Sequence, residues 1–292
     1  MKRRQFLKLL VSGLAAFVLS FALVGCGGGQ APEESTTPPT APPDVSAAEP
    51  VVLQIFAANS LEKAMPEVQA LYTTLHPEVT FAESQFKASG DLVEQLAAGA
   101  TADLLITASK GTMDTAVENA NIDEATRVDM FGNDLVIIRA TGSGIEIADL
   151  NAVTSADIAR IAIGDAATVP AGTYANQALN SIGLYSSDTG KDGEYDAAIN
   201  GKIVLADKVG TAANYVATGD CEIGFVYSSD VYRYDGVEVA YTVPANAYKP
   251  ILYPGAVVAG SPNAAVAQDF LNFCLTDPGA QQIWSQYGFQ VL

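Results

Sequence analysis

Val51-Val52-Leu53-Gln54-Ile55-Phe56-Ala57-Ala58-Asn59-Ser60-Leu61 passes from an apolar run into a polar pair and then into a different pattern. Residues 51–56 read as a buried strand. Asn59 or Ser60 then caps a helix, because Leu61, Ala64, Val68, Leu71 and Leu75 recur at the three- and four-residue spacing of one helical face. The alternation continues downstream. Val79-Thr80-Phe81 is strand-like, Ser89-Gly90-Asp91 opens a helix carrying Leu92, Val93 and Leu96, and residues 103–107 form another short strand. Strands follow at 135–138 and 161–163, a helix from Val169-Pro170 to about Ile182, a strand at 203–205, a helix from about Lys208 and a strand at 223–227. The chain closes with strand-like Ala256-Val257-Val258 and one amphipathic helix through Phe270, Leu271, Phe273 and Ile283. Repeated strand–helix units predict an α/β fold of mostly parallel sheets covered by helices on both faces.

Composition narrows the function before any motif does. Among 292 residues, 15 Lys+Arg face 33 Asp+Glu, a formal charge of −18. That balance excludes sequence-independent nucleic-acid binding, which depends on basic residues replacing phosphate counterions. Apolar residues make up 49% of the chain and charged residues 16%, enough apolar material for a sizeable core. The single histidine, His76, lies in Leu75-His76-Pro77, which reads as a helix end. With one His and three Cys, neither a His-based triad nor a His/Cys zinc site has much to draw on.

The first segment is an address. Residues 2–8 are basic and Leu9 to Val24 is apolar and uncharged, the pattern of a secretory signal peptide or, given its length, of a membrane helix. Leu23-Val24-Gly25-Cys26 resembles the lipobox of bacterial lipoproteins, which implies a signal peptide over residues 1–25 and a lipid on Cys26. Arg3-Arg4-Gln5-Phe6-Leu7-Lys8 also resembles a twin-arginine export signal, with general secretion as the other route. Residues 26–49, with Pro38-Pro39 and Pro42-Pro43 among Thr, Ser, Ala and Glu, offer nothing to bury and read as a disordered tether. Loss of the four basic residues in 1–25 takes the charge to −22, which repels anionic lipid heads and suits a body held off the membrane. About 243 residues remain, the size of two lobes.

The joins Ala58-Asn59-Ser60, Ala88-Ser89-Gly90, Val169-Pro170-Ala171-Gly172 and Asp207-Lys208-Val209-Gly210 each follow a strand and open a helix with small residues. A helix N-terminus carries partial positive charge and orphan N–H donors, so such joins bind anions without a cation, and strand ends are where open α/β sheets hold ligands. Plain N-capping by Ser60 and Ser89 is the competing explanation for these residues.

Taken together, the motifs resemble the periplasmic molybdate-binding proteins of ABC importers. The resemblance rests on Ala57-Ala58-Asn59-Ser60-Leu61, the run from Ala98 to Ile106, Gly132-Asn133-Asp134-Leu135-Val136, Gly164-Asp165, Val169-Pro170-Ala171-Gly172-Thr173-Tyr174, Gly224-Phe225-Val226-Tyr227-Ser228-Ser229-Asp230 and Tyr287-Gly288-Phe289, in family order. It implies a two-lobed periplasmic-binding-protein fold, with residues 50–133 plus 244–292 in lobe I, 134–243 in lobe II and the ligand in the cleft. Crossings near 132–136 and 240–246 would form the hinge. The family's ligand donors fall on Ser60 and Ser89 in lobe I and on Ala171, Val209 and Tyr227 in lobe II, so that a metal is met only through the oxyanion's oxygens. The implied protein is a lipid-anchored extracytoplasmic monomer, not an enzyme, with no cofactor. Its implied partners are molybdate or tungstate, an ABC permease with its ATPase, and the membrane through its lipid.

A site of donors alone suits molybdate and tungstate, fully deprotonated dianions whose oxygens only accept hydrogen bonds. A sulfate receptor of the same fold, a lipid-anchored hydrolase and a structural lipoprotein are the alternatives. Two segments depart from the family pattern. Residues 186–202 form a polar excursion between Ala171 and Val209, and Lys87-Ala88-Ser89-Gly90-Asp91 replaces a serine-rich stretch. Asp91 then either faces the anion, with Lys87 offsetting it, or points outward. Asp103, Asp165 and Asp230 read as caps of turns and helix starts rather than a metal or acid–base set. Cys221 and Cys274 fall in different lobes and are expected to be buried thiols.

Overall fold

The computed structural model describes residues 49–292; the signal peptide, Cys26 and nearly all of the tether lie outside the described residues. Among the described residues no helix is long and apolar enough to cross a membrane. In lobe I the chain forms β1 (Val51–Leu53), β2 (Ile55–Ala58), α1 (Ala64–Leu75), β3 (Val79–Phe81), β4 (Gln85–Lys87), α2 (Ser89–Ala97), β5 (Leu104–Ile106), α3 (Lys110–Glu118) and β6 (Val128–Asn133). It crosses at Asp134 into β7 (Leu135–Ala140), β8 (Ile161–Gly164), α4 (Pro170–Asn180), β9 (Ile203–Ala206), α5 (Val209–Ala217), β10 (Ile223–Tyr227) and β11 (Val237–Thr242). It returns through residues 243–250 to β12 (Ile251–Val257), α6 (Ala264–Thr276), α7 (Pro278–Gln286) and β13 (Gln290–Val291).

Two sheets result, one per lobe, in the orders β13-β6-β12-β5-β2-β4 and β11-β7-β10-β8-β9, beside a two-stranded pair β1-β3. They are mixed rather than mostly parallel. In lobe I β4, β2 and β5 run parallel, and in lobe II β9, β8 and β10 do; β12, β6 and β13, and β7 and β11, pair antiparallel. The reason is the pair of crossings. β6 leaves lobe I while β12 re-enters it, and β7 enters lobe II while β11 leaves it, so each adjacent pair runs in opposite senses. Strands joined by covering helices stay parallel.

Strand alternation decides which core each side chain joins. Phe56 and Leu105 point to one face and pack with Leu92, Val93, Leu96 and Met113 of α2 and α3. Ile55, Ala57, Leu104 and Ile106 point to the other, where Tyr72, Phe270 and Trp284 of α1, α6 and α7 cover them. The expected strand over 51–56 is broken at Gln54, whose N–H donates to the Asp103 carboxylate at 2.8 Å instead of to a neighbouring strand. The expected terminal helix is two helices, because Pro278 has no N–H and Asp277 caps α7 by accepting from Gly279 and Ala280. Residues 186–202 are docked rather than splayed out: Asn176 and Gln177 of α4 donate to Gly190 and Thr189 carbonyls, each at 3.0 Å, and Tyr195 donates to Asn176 at 2.8 Å. Cys221 and Cys274 are buried free thiols, as expected.

Candidate functional site

The chain ends of β2 and β10 and the starts of α2, α4 and α5 converge between the two sheets. There they line a small cavity with about 10 Å³ of free space, formed by Ala58, Asn59, Ser60, Lys87, Ala88, Ser89, Ala108, Val169, Pro170, Ala171, Val209 and Tyr227. All five residues singled out from the sequence, Ser60, Ser89, Ala171, Val209 and Tyr227, line this one cavity. Ser89 and Val209 are the first residues of α2 and α5, and Ala171 is the second of α4, so their N–H groups lie ahead of the helical ladder with no acceptor in a preceding turn. Close approach of α4 depends on glycine: a Cβ on Gly172 would sit 1.8 Å from the Gly164 carbonyl oxygen of β8.

Neither serine caps a helix. Asn59-Ser60-Leu61 forms a single 3₁₀ turn without a side-chain cap, and α2 is capped by no side chain either. The Ser89 hydroxyl instead accepts from the Ala108 N–H at 3.0 Å, and Ser60 Oγ lies 3.0 Å from the Tyr253 hydroxyl. Tyr227 is the most telling member. It is 1% exposed, and its hydroxyl has no hydrogen-bond partner among the described residues. Burial pushes the Tyr227 phenol well above its ordinary pKa, with Tyr253, Tyr174 and Asp230 adding to the effect, so it remains a donor. Buried polar groups are normally partnered, and one that is not marks a site.

Asp230 positions Tyr227 by accepting its N–H at 3.0 Å and is itself paired with the buried guanidinium of Arg233. Burial pushes the Asp230 carboxyl up, and Arg233 and the Tyr227 N–H pull against it. For Arg233, burial opposes the charge, but Asp230, Tyr234 and Glu62 outweigh it and hold the guanidinium protonated. From lobe II Arg233 reaches Glu62 of lobe I at 3.2 Å. Asn59, also of lobe I, accepts from the Gly210 N–H at 3.1 Å and from Arg233 at 3.4 Å, and donates to Glu62 at 2.7 Å. Gly90 adds a backbone link, its N–H donating to the Thr168 carbonyl across the cleft at 3.0 Å. The lobes are thus closed on each other.

Asp91 does not line the cavity. It lies in an adjoining groove with Glu94, Asp207 and Lys208, where burial, then Glu94 and Asp207, raise its pKa and Lys87 lowers it. Lys87 lines both spaces and donates to Gln95 at 3.1 Å. Asp103 and Asp165 have structural partners, Asp103 binding the Gln54 N–H and the Ser261 hydroxyl and Asp165 the Ala167 N–H. Sequence reasoning missed Tyr253, Asn133, Arg233 and the bridging role of Asn59. Asn59 and Asn133 stand in the motifs quoted above, but the partners that give them a role come from distant segments.

Two α/β lobes joined by paired crossings, with a small donor-lined cavity between them, are the architecture of a solute-binding protein. The chain belongs to the bacterial extracellular solute-binding protein family, whose model matches residues 53–290. It is similar to the molybdate-binding protein ModA of Escherichia coli, with 33% identity over 82% of this chain and 89% of that protein. It is also similar, at 26% identity over 96% of each chain, to Bacillus subtilis YvgL, assigned as an ABC transporter substrate-binding lipoprotein. Among solved structures, a substrate-binding domain assigned to a molybdenum ABC transporter of Clostridium difficile matches with a TM-score of 0.62 and 31% identity, covering 83% of this chain and 99% of that one.

Proposed function

We propose that this protein is a molybdate and tungstate receptor, lipid-anchored outside the cytoplasm through Cys26, that delivers its oxyanion to an ABC permease. The observation that carries the reading is the buried, unpartnered Tyr227 hydroxyl facing a cavity where Ser60, Ser89, Ala171 and Val209 also offer donors. Ser60 and Ser89 would supply hydroxyl and N–H groups from lobe I, Ala171 and Val209 N–H groups, and Tyr227 its O–H, from lobe II. The anion then completes its shell only with the lobes closed, and closure is driven by the contacts it gains there. Fixed dipoles replace the hydration of a dianion without a buried cation. The names of the Escherichia coli and Clostridium difficile relatives support the substrate, and that of the Bacillus subtilis relative supports the importer and the anchor. The reading includes no catalytic step.

The test is calorimetric titration of the full chain, in detergent, with molybdate, tungstate, sulfate and phosphate. Molybdate and tungstate are expected to bind tightly and sulfate and phosphate weakly. Tighter sulfate than molybdate binding would reassign the substrate, and no binding of any of the four would remove the receptor function.

A further inference from the structure

We infer that Tyr253 is a positioning residue that fixes the Ser60 hydroxyl as a donor toward the cavity, so that the site selects against oxyanions that carry a proton. The inference rests on the receptor function proposed above. It begins at the first crossing. The Asp134 N–H, which can only donate, points at Asn133 Oδ1 at 2.9 Å, and the Ser228 hydroxyl donates to the same oxygen at 2.9 Å. The amide orientation of Asn133 is thereby set, and its Nδ2 donates to Ser229 Oγ at 2.8 Å and to the Tyr253 hydroxyl at 3.3 Å. The Tyr253 oxygen is therefore an acceptor from Asn133. Tyr253 is 0% exposed, so its own hydrogen needs a buried acceptor, and Ser60 Oγ at 3.0 Å is the one partner left to it among the described residues. Ser60 Oγ accepts, and its own hydrogen is left for the cavity it lines.

Ser89 reaches the same condition by a different route, since the Ala108 N–H, another obligate donor, occupies its oxygen at 3.0 Å. Both lobe I hydroxyls are thus supplied with a scaffold donor and face the ligand with a hydrogen. An oxyanion whose oxygens all accept satisfies them. Hydrogen phosphate brings an O–H of its own, which would meet donors and leave a buried group unpaired. Tyr253 sets this polarity from outside the cavity, because it lines none of it.

The experiment titrates molybdate and inorganic phosphate at pH 7 into the full chain as wild type, Tyr253→Phe, Ser60→Ala and the double variant. Phe keeps the ring that packs against Phe131, Tyr227 and Phe289, and Asn133 keeps its bond to Ser229, so folding is preserved. Tyr253→Phe should weaken molybdate binding about tenfold in the Ser60 background and less than about twofold in the Ser60→Ala background. It should also narrow the preference for molybdate over phosphate, because the freed Ser60 hydroxyl can turn and accept. An equal loss in both backgrounds would show that Tyr253 acts by packing alone, and an unchanged molybdate-to-phosphate ratio would remove its part in selectivity. Wild-type chain that binds no molybdate would instead overturn the receptor function, a result separate from either variant's.

Discussion

Replacing Tyr227 by Phe separates binding from stability. The Tyr227 hydroxyl is buried and has no hydrogen-bond partner among the described residues, while the ring packs against Tyr174 and Tyr253. The substitution keeps the ring and breaks no internal hydrogen bond, and the positioning bond from the Tyr227 N–H to Asp230 is a backbone bond that survives. The melting temperature without ligand should therefore move by less than about 2 °C, below the roughly 2–4 °C that a 1 kcal/mol loss gives a body of this size. Binding should behave differently. A hydrogen bond to a charged partner contributes about 1.5–3 kcal/mol, so molybdate affinity should fall roughly 10- to 150-fold. Calorimetric titration reads the affinity, and scanning calorimetry with and without molybdate reads the stability. Wild-type affinity in Tyr227→Phe would refute the reasoning, because the orphaned hydroxyl would then have no ligand to serve. A large drop in unliganded melting temperature with unchanged affinity would place its role in folding.

Other expectations follow from contacts across and around the cleft. A Cβ on Gly90 would lie 2.8 Å from Thr168 Cα on the opposite lobe, so Gly90→Ala should weaken molybdate binding by about 1–3 kcal/mol while leaving the unliganded melting temperature near wild type, and a normal affinity would show that the lobes close without this approach. Arg233→Ala strands the buried Asp230 carboxylate and should lower stability by about 3–5 kcal/mol in urea denaturation, a reading contradicted by a loss below about 1 kcal/mol. Burial pushes the Cys221 thiol up to about 11 and the Tyr195 phenol up to about 12, so the unfolded chain releases these protons first and stability, whole below about pH 9, should fall as the pH rises toward 12. A melting temperature unchanged from about pH 8 to 11 would contradict that burial.

The α/β class and the positions of most helices were legible from local periodicity, because apolar spacing along 51–75 or 203–217 reports which face of one segment is buried. The strand–helix joins were legible for the same local reason, small residues after an apolar run, and the motifs around them drew attention to Ser60, Ser89, Ala171, Val209 and Tyr227. Strand direction was not. β12 carries Pro254 inside it, with a register shift at Tyr253/Pro254, and so read as a strand only from Ala256 onward. Its antiparallel sense follows from the crossing that delivers it, a relation between segments more than a hundred residues apart.

The amino-acid sequence by itself determined which residues are buried on which face and which helix starts can offer N–H groups, since these depend on neighbours three or four positions away. Only the tertiary structure decided the polarity of the site. Ser60 meets Tyr253 across 193 positions, Asn133 meets Tyr253 across 120, and Arg233 meets Asn59 across 174. A hydroxyl donates or accepts according to the partner brought against it, and a guanidinium becomes a clasp only where another segment places a carboxylate. The folding of lobe I brings Tyr253 to Ser60 and Asn133, the meeting of the two lobes brings Arg233 to Asn59, and no spacing along the chain encodes either.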